Sequence, residues 1–325
     1  MSDSLITGLR ALLRDRWHDP HADVLAVDPF GDGHSGFTYL VDLRTATASG
    51  EYVMRLSPPG ARIAANADVG RQGRIIAALH AAGVPTPAVL LADSGGVLDG
   101  RSIMITERVS GVDCRTAVTE HGDSWVLDAA ASALHSVHAV PIDAVGLPDE
   151  QPVSAADDVA RWSRLLDRAP EELHADGYRL RDALLDALPA SVPPALVHGD
   201  YHYGNLLFGP DGVAAVLDWE VAGLGDPRWD FGSLAVTVIR RKYNPEPNVT
   251  GDLDVSLADL ASRFAGTPDL AWFAAAACFK YTAILGYNRG LHLKGRRPDP
   301  VYDQLVGTIS GLAMDGMAVL TDGIG

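Results

Sequence analysis

The segment LVHGDYHYGNLLFGPDGVAAVLDWE, Leu196 to Glu220, sets the architecture of everything around it. Two apolar runs flank Gly209-Pro-Asp-Gly212, a strong turn signal, so the segment predicts a β-hairpin. A four-residue loop pairs Phe208 with Val213, which puts Asn205 opposite Val216 and makes Asn205 and Asp218 diagonal neighbours. Diagonal pairs in an antiparallel ladder lie about 7 to 8 Å apart. Two short oxygen-bearing side chains at that spacing can share one Mg²⁺ at about 2.1 Å per ligand, leaving room for phosphates and water. Asp200 falls in the loop entering the hairpin, where it can face the metal site without ligating it and serve as a base.

Helical periodicity dominates on both sides of this hairpin, over about 125 to 139, 155 to 168, 172 to 187, 229 to 243, 256 to 265, 269 to 288 and 299 to 320. Upstream the pattern changes. After an amphipathic start (Leu5, Leu9, Leu12, Leu13), strands are expected at 24 to 27, 37 to 43 and 51 to 56, then a helix at 65 to 82 stopped by Gly83, Pro85 and Pro87, then strands at 88 to 91 and 102 to 107. The expected class is α+β: an N-lobe of five antiparallel strands plus one helix over residues 1 to 109, and a mainly helical C-lobe over 110 to 325 carrying the hairpin.

The chain has 325 residues and a formal charge of −16, with 47% hydrophobic and 21% charged residues. That length suits two folded units. The acidic surplus argues against nucleic acid as a principal partner and against anionic membrane surfaces. Cys114 and Cys278 stand alone, so a reducing cytoplasm is expected, and the charged first sixteen residues do not read as a secretory signal. The most apolar stretch, Leu270 to Leu285, carries Lys280 and is shorter than the roughly 20 residues of a membrane span. It reads as a buried helix.

His198-Gly-Asp-x-x-x-x-Asn205 followed by Asp218-Trp-Glu220 resembles the catalytic and metal-binding signature of the aminoglycoside phosphotransferase and choline kinase family, whose fold is protein-kinase-like and bilobal. The resemblance implies that Asp200 orients or deprotonates an acceptor hydroxyl, that Asn205 and Asp218 hold Mg²⁺, and that His198 supports the loop. The turn from Gly31 to Tyr39 is similar to the family's nucleotide-covering loop, implying phosphate contacts at Gly33, His34, Ser35 and Gly36. Adenine is implied at Thr106, Glu107 and Val109 between the lobes, and Asp230, in Gly225 to Asp230, is implied to brace the catalytic loop. The run Tyr52 to Gly60, Gly83 to Pro87 and Met104 to Gly111 is similar to the branch associated with acyl-CoA dehydrogenases. The resemblance covers about residues 22 to 240.

Better-known members carry a Lys on the third strand paired with a Glu on the following helix; here these are Arg55 and Gln72. Arg55 keeps a permanent charge and a fork of donors suited to phosphates. The function implied is transfer of the γ-phosphate of ATP or GTP to a hydroxyl of a small molecule, by a monomer or homodimer. Two alternatives stand beside it: a pseudokinase that binds nucleotide as a regulatory module, and a metal-dependent hydrolase using His198, Asp200 and His202. His135 and His138, three residues apart on a helix, read as a packed or solvent-facing pair.

Overall fold

The computed structural model describes residues 3–30, 37–64, 67–243 and 253–324. Helix α1 (Asp3–Arg16) buries Leu5, Leu9 and Leu13 on one face and leads into a five-stranded antiparallel sheet. Its strands β1 (Asp23–Pro29), β2 (Phe37–Arg44), β3 (Ser49–Leu56), β4 (Val89–Leu98) and β5 (Arg101–Glu107) lie in the order β1-β2-β3-β5-β4. Helix α2 (Val69–Ala81) starts four residues later than its periodicity suggested, because the Asp68 carboxylate caps it by accepting from Arg71 N at 2.9 Å. It packs tightly on β4: a Cβ at Gly70 would come within 2.4 Å of the Asp93 carbonyl carbon.

The helical part contains α3 (Cys114–His121), α4 (Asp123–His138), α5 (Ala155–Leu166), α6 (His174–Asp186), α7 (Arg228–Arg240), α8 (Leu257–Ser262), α9 (Leu270–Leu293), α10 (Val301–Gln304) and α11 (Val306–Asp322). The single helix expected over 299 to 320 is two, broken at Leu305, where ψ is 1°. The apolar stretch that begins at Leu270 is longer than the sequence suggested. At 24 residues α9 is long enough to cross a bilayer, yet 67% of its most apolar window is buried inside the protein, against α5, α6, α7 and α11.

Four short strands organise the segment between α6 and α7. β7 (Leu206–Gly209) and β8 (Gly212–Val216) form the expected hairpin, while β6 (Ala195–Val197) pairs with β9 (Gly223–Gly225). Two apolar cores result. One joins α1 to the sheet through Leu9, Leu13, Val41, Met54 and Ile105; the larger one fills the helical lobe and reaches up to Ile75, Ile76 and Leu79 of α2. Arg71 of α2 adds a polar tie between the lobes, donating to both Glu150 oxygens at 2.5 and 2.6 Å and to Ala222 O at 2.9 Å.

Candidate active site

The β6–β9 pairing delivers the loop His198-Gly199-Asp200 beside residues 221 to 223. Gly199 has φ of +81°, and a Cβ there would sit 2.9 Å from Val221 O, so the turn requires glycine. Asp230, fully buried in the first turn of α7, fixes the loop from below. Its carboxylate accepts from His198 N at 2.9 Å and Gly199 N at 2.8 Å, and meets His138 Nε2 at 2.9 Å. Burial alone would raise its pKa; the hydrogen bond and charge of His138, with the His198 contacts, lower it instead. The brace implied for Asp230 is therefore present. His138, read from sequence as a packed or solvent-facing histidine, is part of it.

His198 is fully buried. Its Nδ1 accepts from Asp200 N at 3.2 Å, so Nε2 carries the proton and donates to Leu217 O at 2.8 Å. Burial lowers its pKa, consistent with a neutral ring. With both ring nitrogens committed to backbone, His198 has no lone pair to offer a metal, which removes the ligand on which the hydrolase reading depended. It is a strut between the Asp200 loop and the end of β8, packed against Trp219 with ring centroids 4.6 Å apart.

Asp200 lies at the mouth of this arrangement with its side chain 36% exposed. Tyr281 of α9 donates to Oδ1, and His202 Nε2 lies 3.5 Å from Oδ2. Burial pushes the carboxyl up, but His202, the Lys280 charge and Tyr281 outweigh it and hold the group ionised, well below the usual carboxylate range.

The hairpin corrects one detail of register. Phe208 pairs with Val213 as expected, but Ala214 is bulged out, so Leu207 faces Ala215 and Leu206 faces Val216. Asn205 consequently stands opposite Leu217, whose N–H donates to Asn205 O at 2.8 Å, and not opposite Val216. Asn205 Nδ2 donates to Asp200 O at 3.0 Å, which fixes the amide and leaves Oδ1 as its remaining ligating atom. Asp218 follows β8 with φ of +60°.

Arg55 on β3 reaches across to this rim. It donates to Asp218 Oδ1 at 3.0 Å and lies 3.6 Å from Glu220 Oε2, while its buried Nε has no protein partner among the described residues. Gln72 is buried in α2, and Arg55 draws both carboxylate partners from the segment after β8. A cleft of about 470 Å³ between the lobes is lined by Arg55, Thr106, Glu107, Val109, Asn205 and Asp218, with Val53, Ile76, Met104 and Leu207 as apolar walls. Glu107 is engaged locally, its N donating to Ala88 O and its Oε1 accepting from Ala88 N, each at 2.9 Å. Asp200 and His198 do not line this cleft; the Asn205 amide links them to it. Gly33, His34, Ser35 and Gly36 lie outside the described residues.

Two residues that touch the loop escaped the motif reading: Tyr281, and Lys280, whose ammonium donates to Gly199 O from within the core. The signal was there, since Lys280 is the charged residue inside the most apolar stretch of the chain.

Comparison with known proteins identifies the family and the fold. Over 319 residues, 91% of the chain and 40% of its relative, the sequence is 25% identical to acyl-CoA dehydrogenase family member 11 of Rattus norvegicus. It is 28% identical to the probable acyl-CoA dehydrogenase IBR3 of Arabidopsis thaliana over 221 residues, 63% of the chain and 27% of the relative. The chain thus spans well under half the length of these curated relatives. Among solved structures, a Ralstonia eutropha protein classed provisionally as an aminoglycoside phosphotransferase superposes with a TM-score of 0.76 at 23% identity, covering 97% of this chain and 98% of that one. A thermostable mutant of aminoglycoside phosphotransferase APH(4)-Ia, in ternary complex with AMP-PNP and hygromycin B, gives 0.66 at 17% identity over 98% and 99% of the two chains. These likenesses establish the bilobal kinase-like fold. Residues 26–262 match the model of the phosphotransferase enzyme family, and the chain belongs to that family.

Proposed function

We propose that this chain is a Mg²⁺-dependent O-phosphotransferase that moves the γ-phosphate of ATP, or of GTP, to a hydroxyl of a small molecule. The observation that carries this reading is the convergence of Arg55, Asn205 and Asp218 on one cleft, with Asp200, held ionised, joined to it through the Asn205 amide. The residues suit the groups they would hold. Asn205 Oδ1 and the Asp218 carboxylate are hard oxygen donors of the kind Mg²⁺ takes, with phosphates and water completing its shell. The unpartnered Arg55 Nε is a donor available to a phosphate oxygen. The division of labour falls near residues 109 and 110: Gly33 to Gly36 and Arg55 for the phosphates, backbone of Thr106 to Val109 for the base, and the C-lobe for metal and acceptor.

Asp200 would take the proton of the acceptor hydroxyl as its oxygen attacks the γ-phosphorus. The bond from that phosphorus to the β-phosphate oxygen breaks, and ADP leaves with the electron pair. Bound Mg²⁺ supplies neutralisation of the phosphate charge. His198 and Asp230 hold the loop at fixed geometry, and catalysis by positioning and electrostatics needs little else from the protein. Neighbours of this fold are seen with AMP-PNP and hygromycin B and with GDP, which supports a nucleotide and a small hydroxylated partner here.

The test is a thermal-shift screen with ATP, GTP and Mg²⁺, followed by ADP release against a panel of hydroxylated acceptors. Asp200→Ala and Asp218→Ala should each abolish acceptor-stimulated release. Undiminished release in Asp218→Ala contradicts the assignment. The Arg55 ion pair with Asp218 and Glu220 also favours a second reading, a pseudokinase whose metal carboxylate is already neutralised; it predicts nucleotide binding with no ADP release from the unaltered protein.

A further inference from the structure

Two consecutive residues in the middle of α9 grip two consecutive residues of the catalytic loop. Lys280 Nζ donates to Gly199 O, and Tyr281 Oη donates to Asp200 Oδ1. Lys280 is 5% exposed and follows the unbroken buried run Trp272, Phe273, Ala274 to Ala277, Cys278 and Phe279 in α9. Its ammonium also lies over the rings of Trp162 and Tyr281, at 5.3 and 5.2 Å. An ammonium buried this deeply is costly unless it is paired and hydrogen-bonded; its partners here are one loop carbonyl and the charges of Asp200, Asp230 and Asp158. An alanine-rich core helix would pack without it, so packing does not account for the residue.

We infer that Lys280 and Tyr281 are positioning residues that fix the rotamer of Asp200, occupying Oδ1 so that Oδ2 alone faces the acceptor hydroxyl. Three contacts agree. Asp230 accepts from the loop N–H groups, Lys280 donates to the Gly199 carbonyl, and Oδ2 is left with the longer contact, His202 Nε2 at 3.5 Å. Desolvation pushes the Tyr281 hydroxyl well above its ordinary pKa, so it stays a donor. The inference rests on the phosphotransferase reading, within which it names residues that no motif assigns.

The test compares Tyr281→Phe, Lys280→Met and Lys280→Arg with the unaltered chain, by Mg²⁺·AMP-PNP dissociation constants and by ADP release from Mg²⁺·ATP with water and with a panel of alcohols. A loosened nucleophile-facing group costs on the order of 10- to 100-fold in rate. Tyr281→Phe should therefore lower kcat by that factor while the AMP-PNP constant and the KM for ATP stay within about twofold. Lys280→Arg should recover part of the rate lost in Lys280→Met. If Lys280→Met does not fold, Tyr281→Phe still decides. Unchanged kcat in Tyr281→Phe, or a loss confined to nucleotide affinity, overturns the inference and leaves the phosphotransferase reading intact. Nucleotide binding without ADP release from the unaltered chain overturns both.

Discussion

Replacing Asp230 by alanine should be among the most damaging single changes available. The carboxylate is fully buried and accepts from two backbone N–H groups at 2.9 and 2.8 Å while meeting His138 Nε2 at 2.9 Å. Its removal strands two buried N–H donors, each costing about 1 to 3 kcal/mol when left unmade. The His138 contact, an ion pair when that ring is protonated, is lost as well, and breaking a buried pair costs about 3 to 5 kcal/mol when one partner goes. The three contacts share one carboxylate and their losses do not simply add, so the expected loss is about 3 to 5 kcal/mol. Asp230→Asn keeps one acceptor oxygen and turns an NH₂ toward the remaining donors, so it should lose somewhat less. Urea unfolding followed by far-ultraviolet circular dichroism gives the difference, with Asp182→Ala on the exposed face of α6 as a control expected within about 0.5 kcal/mol of the parent. Amide exchange at His198 and Gly199 should accelerate in parallel. A loss below about 1 kcal/mol in Asp230→Ala would refute the idea that this carboxylate organises the loop, since the two N–H groups would then have found other partners.

Gly199→Ala places a Cβ at φ of +81° and 2.9 Å from Val221 O, so it should destabilise by about 1 to 3 kcal/mol and displace Asp200; kcat should drop while nucleotide affinity holds, and an unaltered kcat contradicts the strained-turn account. Stability should also depend on pH in a predictable direction. The folded-state pKa of His198 is depressed below its ordinary 6.5, so its contribution is complete above 6.5 and is lost as pH falls through the folded value, because the unfolded chain takes up the proton first. Denaturant midpoints between pH 8 and pH 5 should decline below about 6.5, and His198→Asn should flatten part of that decline; an identical slope in the variant assigns it to other histidines.

Much of the fold was legible because hydrophobic period is a local property. The sheet strands and the long helices α4, α7 and α9 follow from spacing alone, except that β4, expected over 88 to 91, continues through Gly95-Gly96 to Leu98; α3 is not legible because its eight mostly polar residues show little period, and its cap at Asp113 and its terminator at Gly122, φ +86°, are the available signals. The three-residue strands β6 and β9 were illegible for a related reason, being defined by a pairing 28 residues apart rather than by their own composition. In the site, motif residues on one loop and one hairpin were found, yet the bulge at Ala214 shifted the register that geometry alone had assigned. His138, Lys280 and Tyr281 come from helices distant in sequence, and no local pattern marks which face of a helix will meet a given loop. The Arg55 contact with Asp218 spans 163 residues and is a tertiary fact in the same sense.

The Arg71 tie bears on how the molecule can move. The backbone running from β5 into α3 is one tether between the lobes, and the forked contact of Arg71 with Glu150 and Ala222 is a second. It does not act alone: Arg55 with Asp218 and Glu220, Val216 N donating to Pro85 O at 2.8 Å, and Ile75, Ile76 and Leu79 seated in the helical lobe's core stitch the same two parts together. Widening the cleft for a bulky ligand therefore has to undo several separate seams, and cutting the guanidinium tie would remove one of them.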